Sequence, residues 1–177
     1  MLAAAMMLLA VAQPAPAIAQ SAAWSQDGRE PMCVYDGLLA SANGSALDPS
    51  QMNGIRDACR ERFGWSEDQA SRGAIVALMM VEMMQAQREA HEAGIDQATI
   101  DVIRNSFSDT DAATLGRPGE SLSNEGRATI GRIAERVRAQ GLSGDIARAA
   151  SKAVLFQLMA TDIIADFARD VMPEPAH

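Results

Sequence analysis

Two cysteines constrain the fold of this chain more than any other feature. Cys33 lies 11 residues before Gly44, where an Asn-Gly pair stops a helix, and Cys59 lies 10 residues after Pro49, which suits the first turn of the next helix. If the two helices form an antiparallel hairpin, both cysteines lie at the same height at its open end. The matched spacing predicts a disulfide, which would stabilise the fold by roughly 3 kcal/mol.

A redox-active or metal-binding thiol pair is the functional alternative for these cysteines. Such pairs are typically arranged as Cys-x-x-Cys, and that spacing is absent from the chain. We therefore interpret the pair as structural.

The first 19 residues (MLAAAMMLLAVAQPAPAIA) have the pattern of an export signal. A short apolar core ends at two prolines, and the small residues Ala17 and Ala19 predict cleavage before Gln20. No Lys or Arg precedes the core, so only the terminal amine supplies positive charge there. We expect a periplasmic or secreted protein, where a disulfide persists. The apolar core is much shorter than the roughly 20 residues of a membrane span, so stable membrane insertion of the mature chain is not expected.

Composition narrows the class of protein further. Removing 19 of 177 residues leaves a mature chain of 158, the size of one domain. A net charge of −8 argues against a nucleic-acid partner, because such proteins carry a basic surface. Aromatic residues make up only 4%, while Ala, Leu and Met are abundant, which favours helices packed on helices.

Helix start and stop signals divide the rest of the chain. We predict a flexible lead-in over 20–30, one compact all-α domain of about six helices over 31–172, and a tail over 173–177. Ser66 and Gln69 form a capping box before one of the two long central helices, and residues 108–122 are interpreted as the one long connection. The predicted helices span 31–42, 48–63, 67–93, 96–107, 123–140 and 144–171.

Four methionines occupy the first long helix, at Met79, Met80, Met83 and Met84. At 100° per residue they share a face with Val76, opposite a polar face formed by Gln85, Arg88, Glu89 and Glu92. We interpret the methionine face as core, because Met packs well at irregular helix interfaces. An adaptable groove for a partner and a thioether site for Cu(I) are the two alternatives.

Two titratable residues on the same helix invite a functional interpretation. Glu82 interrupts the apolar run and could be a buried carboxylate with a raised pKa, but its position near Glu89 favours the edge of the polar face. His91 falls on the polar C-terminal part of the helix and has no second ligand at metal spacing. We predict that both are surface residues.

The last helix carries an apolar face and a polar face, and Leu155 and Met159 fall in the middle of the polar one. Another helix covers them, or they form a small exposed patch that could contact another protein. The acidic ladder of Asp162, Asp166 and Asp170 is interpreted as a solvated face, because it supplies too few oxygens for calcium.

Asp109, Asp111 and Glu120 fall at positions one, three and twelve of an EF-hand loop. Ala113 and Thr114 occupy the positions that require an oxygen ligand and a glycine, so we do not predict calcium binding.

The segment Leu47-Asp48-Pro49-Ser50-Gln51 resembles the LTxxQ motif of periplasmic helical chaperones and metal-stress sensors, with Asp48 in the place of Thr. A helix cap followed by Pro and Gln accounts for the same five residues. Because no catalytic or nucleotide-binding motif occurs, we expect an exported, non-enzymatic interaction or stress-related module without a cofactor, which contacts another protein through a helix face. A metal-handling protein that uses the methionine helix for Cu(I) is the second hypothesis, and an enzyme of unknown reaction is the third.

Overall fold

The fold was analysed in a computed structural model that describes residues 30–41, 49–117 and 120–172. Over these ranges the chain forms a 3-10 turn and seven α-helices and contains no strand, which confirms the all-α prediction. Four predictions lie outside the described residues: the signal over 1–19, residues 20–29 of the lead-in, the helix stop at Asn43-Gly44 and the tail over 173–177. The helices are α1 Cys33–Ser41, α2 Pro49–Phe63, α3 Glu67–Glu92, α4 Gln97–Arg104, α5 Asp109–Ala113, α6 Asn124–Ala139 and α7 Gly144–Val171.

The helices begin and end where their capping residues require. Ser66 and Gln69 form the predicted box: the Gln69 backbone N–H donates to Ser66 Oγ at 3.1 Å, and the Ser66 N–H donates to Gln69 Oε1 at 2.9 Å. Asp96 caps α4 by accepting from the Thr99 N–H at 2.7 Å. Between these two helices, Gly94 adopts a φ of +86°, which ends α3 at no steric cost.

The segment 108–122 is not a plain connection, contrary to the sequence prediction. It contains the one-turn helix α5, which Ser108 and Asp111 cap reciprocally. Ala112 and Leu115 are buried in the core. A helix of five residues is too short to show an apolar period, and isolated helices of this length are unstable, so tertiary packing must hold it.

The start of the domain also differs from the prediction. Pro31 lies in the 3-10 turn Glu30–Met32 and is buried, so α1 begins two residues later, at Cys33. Glu30, assigned to the lead-in by sequence, accepts a hydrogen bond from Trp65 Nε1 at 2.8 Å. This bond attaches the start of the domain to the segment between α2 and α3.

The predicted disulfide joins Cys33 and Cys59, and therefore links α1 to α2. Their Cα atoms are 6.0 Å apart, within the usual range for a disulfide, and Cys59 is buried.

Two hydrophobic clusters form the core, and the long helices α3 and α7 run through both. The larger cluster joins the second half of α3 and the first half of α7 to α4, α5 and α6, with Ile100, Ile133 and Leu158 among its members. The smaller cluster joins the first half of α3 and the end of α7 to α1 and α2. As a result α3 buries different faces along its length. None of the helices in the described part of the chain combines the length and apolarity of a membrane span.

Candidate functional site

An open cleft of about 290 Å³ lies between α3, the end of α7 and the residues around the C-terminus of α5. Its apolar lining comes from all three helices: Ile75, Val76, Ala113, Ile163 and Phe167. Val76 and Phe167 belong to the smaller cluster and are 0% and 2% exposed. Below we call this feature the α3–α7 cleft. Its volume lies just below the roughly 300–1,000 Å³ of small-molecule sites.

Charged side chains complete the lining of the cleft. Asp166 on α7 accepts from two arginines: Arg117 Nη2 lies 2.8 Å from its Oδ2, and Arg169 Nη2 lies 3.3 Å from its Oδ1. Arg117 follows α5, so the first of these ion pairs bridges two separate segments across the cleft.

Arg72 on α3 is the third arginine of the cleft, and it too is paired. Its guanidinium forms an ion pair with Asp170 near the end of α7. Its Nε lies 3.1 Å from Asp68 Oδ2, within ion-pair range but outside hydrogen-bond geometry. Arg72 therefore contacts two carboxylates, and it ties the first turns of α3 to the end of α7.

Asp162 is the remaining charged residue of the cleft, one turn before Asp166 on α7. It is partly buried, and no cation among the described residues lies within ion-pair distance of it. The predicted acidic ladder is thus divided: Asp166 and Asp170 pair with arginines of other segments, while Asp162 has no ion-pair partner among the described residues.

This arrangement suits an amphipathic ligand. An apolar ligand body that covers exposed Ile75 and partly buried Ile163 would remove their hydrocarbon surface from water, and the charged groups of the lining can orient a polar end. Among the described residues, no group of three or more His, Cys, Asp or Glu side chains could hold a metal ion.

The methionines of α3 are not uniformly buried, so the core interpretation is only partly right. Met79 is 3% exposed, whereas Met84 is 47% exposed. Met80 and Met83 are partly buried, and Tyr35 on α1 donates its hydroxyl hydrogen to Met84 Sδ. A helical wheel assumes one buried face, but α3 packs against α1 and α2 first and then against other helices, so its buried face rotates.

Burial of the Tyr35 ring, with a smaller contribution from the neighbouring Asp36 carboxylate, raises the pKa of the Tyr35 hydroxyl. A tyrosine hydroxyl is protonated at neutral pH even at its ordinary pKa, so it is able to donate to Met84 Sδ.

The other residues singled out by sequence lie away from the cleft. Leu155 and Met159 are partly buried against the larger hydrophobic cluster, so a neighbouring helix covers them, which was the first of the two alternatives, and they do not form an exposed contact patch. Glu82 and His91 lie exposed on α3.

Asp109 and Asp111 lie in the first turn of α5, where Asp111 completes the capping box. Hydrogen bonds from the Ser108 backbone and hydroxyl, with a smaller effect of Arg132, lower the pKa of Asp111. Glu120 accepts from the Arg117 N–H at 3.0 Å. Two of the three acidic residues of the EF-hand-like pattern, Asp111 and Glu120, therefore accept hydrogen bonds from backbone N–H groups.

Sequence reasoning missed Arg72 and Arg117 as members of a site. Neither carries a local signal: Arg72 lies in the first part of the long helix α3 and Arg117 in a connection, and only the packing of the helices brings both to one cleft. No protein-family model matches this chain, and no curated protein or solved structure shows significant similarity to it.

Proposed function

We propose that this protein is an exported, non-enzymatic helical binding protein whose α3–α7 cleft takes a small ligand with an apolar body. The observation that carries the proposal is the cleft itself, in which exposed Ile75 and partly buried Ile163 lie beside charged groups, over a floor that includes buried Val76 and Phe167. Open apolar walls with a few polar groups are typical of small-molecule sites.

Two independent features support export. The first 19 residues match a signal peptide, and Cys33 and Cys59 form a disulfide, which persists in oxidising compartments and is rare in the cytosol. The test is to express the whole chain in a Gram-negative host, fractionate the cells and sequence the N-terminus of the periplasmic product. We expect Gln20 at the new N-terminus, and an Ala19→Asp variant should accumulate uncleaved. A cytosolic, full-length product from the parent chain would contradict export.

Binding in the cleft can be tested with N-phenyl-1-naphthylamine, a neutral apolar dye that fluoresces when it leaves water. We expect a saturable rise in fluorescence with the purified exported protein. An Ala113→Phe variant should abolish it, because Ala113 lies exposed at the end of α5 and a ring there would fill the cleft.

The matched control is Ala139→Phe, which adds the same ring at the exposed last residue of α6, outside the cleft. It should bind the dye as the parent protein does. Equal dye binding by parent and Ala113→Phe proteins would refute the cleft as the site.

A further inference from the structure

We propose that the ligand of the α3–α7 cleft is an aliphatic carboxylate, whose charged end binds Arg117 and Arg169 and whose carbon chain lies on Ile75 and Ile163. The inference rests on the proposed function, since it names the chemical class of the ligand for the same site.

The side chains that line the cleft carry an excess of positive charge. They include three arginines and two aspartates: Arg72, Arg117, Arg169, Asp162 and Asp166. Asp166 is shared between two of the arginines, because Arg117 Nη2 contacts its Oδ2 and Arg169 Nη2 contacts its Oδ1. Two guanidinium groups therefore face one carboxylate, and a ligand with a single negative charge would balance the pair.

The side chains of Arg117 and Arg169 also keep unused hydrogen-bond donors. A guanidinium has five N–H donors, and within the described part of the chain each of these two donates only once, to Asp166. Their side chains are 57% and 74% exposed, so the remaining donors are open to an incoming group. The planar fork of a guanidinium matches the two oxygens of a carboxylate, which favours this head group.

Arg72 adds a donor that the protein itself leaves unsatisfied. Its guanidinium pairs with Asp170, which lies outside the lining. Its Nε, however, is buried and has no hydrogen-bond partner among the described residues, because Asp68 Oδ2 lies outside hydrogen-bond geometry. Buried polar groups in proteins are ordinarily paired, so an unpaired donor beside the cleft favours a negative group over a positive one.

Asp162 determines which way round the ligand lies. It has no ion-pair partner among the described residues, and it precedes Arg169 by seven residues on α7, which is about 10 Å along the helix axis. A carboxylate bound at Arg169 is thus two turns away from Asp162, whereas one at the other end of the cleft would meet it directly. The carbon chain then covers partly buried Ile163 and exposed Ile75, and this removes apolar surface from water.

The net charge of −8 repels anions at long range. At an ionic strength of about 0.15 M the Debye length is about 8 Å, so charges elsewhere on the surface are largely screened, while Arg117 and Arg169 are in contact with the ligand. At this ionic strength the groups of the cleft therefore decide which charge binds.

The decisive experiment compares three ligands with the same carbon chain and different charge. Octanoate, 1-octanol and octylammonium are titrated into the purified exported protein by calorimetry, at about 0.15 M ionic strength. We expect octanoate to bind more tightly than either of the others. Octyl phosphate, in a parallel titration, distinguishes a carboxylate from a phosphate head group. Its second negative charge exceeds the single positive excess of the lining, so it should bind no more tightly than octanoate.

Arg169→Gln removes one of the two exposed guanidinium groups and keeps a polar side chain. We expect it to weaken octanoate by about fivefold, the size of one exposed ion pair, and to leave 1-octanol unchanged. Arg148→Gln is the matched control. Arg148 lies on the same helix outside the cleft, is 79% exposed and pairs with the aspartate three residues before it, as Arg169 does. Its replacement should leave both affinities unchanged.

The outcomes separate the two proposals. Loss of 1-octanol binding in Ala113→Phe, together with octylammonium binding at least as tight as octanoate binding or no effect of Arg169→Gln, would overturn the carboxylate and leave the cleft as a binding site. Tighter binding of octyl phosphate than of octanoate would also overturn the carboxylate. Failure of all these ligands to bind would overturn both proposals.

Discussion

Trp65 and Phe167 meet edge to face, with ring centroids 5.3 Å apart and ring planes inclined at 80°. Trp65 lies just before α3 and Phe167 lies near the end of α7, so this contact joins the two long helices at one end of the molecule. Phe167 also forms part of the apolar wall of the α3–α7 cleft. Phe63 stacks on the same Trp65 ring from α2, at 5.5 Å between centroids.

Truncation of Phe167 should therefore be costly. We expect Phe167→Ala to lower the free energy of unfolding by about 3–5 kcal/mol, because it empties a buried site between helices. Phe63→Ala is the matched control, since it removes the same ring from the other contact of Trp65 but from a partly buried position. Urea unfolding followed by Trp fluorescence gives both values. A loss for Phe63→Ala as large as that for Phe167→Ala would contradict the packing described here.

The rotation of the buried face of α3 gives a second prediction. Met79→Ala should lower the free energy of unfolding by about 2–5 kcal/mol, because its side chain is buried, whereas exposed Met84→Ala should cost less, about 1 kcal/mol, mainly through the lost hydrogen bond from Tyr35. Chemical denaturation of the two variants measures the difference. Equal losses of unfolding free energy would mean that Met79 and Met84 are equally buried, as the helical wheel implied.

The disulfide should stabilise the domain through its effect on the unfolded chain. Cys33 and Cys59 are 26 residues apart, and closing a loop of this size is worth about 3 kcal/mol in the chain-entropy model. We expect reductant to lower the urea midpoint of the parent protein. A Cys33→Ala/Cys59→Ala double variant should start near the reduced value and not respond to reductant. Thiol labelling of the unreduced parent protein should find no free cysteine, and labelling of both would contradict the bond.

Gly126 in α6 packs where no side chain fits. A Cβ atom there would lie 2.5 Å from the Thr114 backbone oxygen and 2.9 Å from Leu122 Cδ1. We expect Gly126→Ala to destabilise the protein by about 1–3 kcal/mol, despite the better helix propensity of Ala, because backbone must shift.

Gly131→Ala is the control for this substitution. Gly131 lies in the same helix, and a Cβ atom added there would meet no neighbouring atom within 4 Å, so Ala should stabilise by up to about 1 kcal/mol. In thermal unfolding, Gly126→Ala should therefore lower the midpoint temperature relative to the parent protein, and Gly131→Ala should raise it. A stabilised Gly126→Ala variant would mean that α5 and α6 do not approach as closely as described.

The cap of α5 predicts a dependence on pH. Hydrogen bonds from Ser108 lower the pKa of Asp111 below its ordinary value of 3.8, so the charged form is favoured in the folded state. The stability from this group is therefore present above about pH 4 and is lost as the pH falls through the lowered pKa. The free energy of unfolding of the parent protein should exceed that of Asp111→Asn near neutral pH, and the difference should shrink toward about pH 2. A difference that stays constant with pH would contradict this assignment.

Asp109→Asn serves as the control for the pH series. Asp109 lies exposed in the same turn but outside the reciprocal cap formed by Ser108 and Asp111. Its replacement tests whether the loss of any carboxylate at this helix terminus has the same effect as the loss of the hydrogen-bonded one.

Local signals in the sequence determined most of the helices and the disulfide. Ser66 with Gln69, and Asp96 before α4, satisfy backbone N–H groups within three residues, so their effect does not depend on the rest of the fold. The pairing of Cys33 with Cys59 could be predicted because each residue of a helix adds a fixed rise. Two cysteines at similar numbers of residues from the connection between two antiparallel helices therefore lie at the same height.

Contacts between distant segments were decided only by the tertiary structure. The one-turn helix α5 has no apolar period, and it exists because Ala112 and Leu115 pack into the core. The exposure of Met84 beside buried Met79 follows from which neighbours α3 meets along its length. The α3–α7 cleft depends on ion pairs such as Arg117–Asp166, whose partners are 49 residues apart. Capping and periodicity act over one or two helical turns, so the local sequence specifies them. Ion pairs between helices and cavities depend on how distant segments pack, and the local sequence does not specify which segments come together.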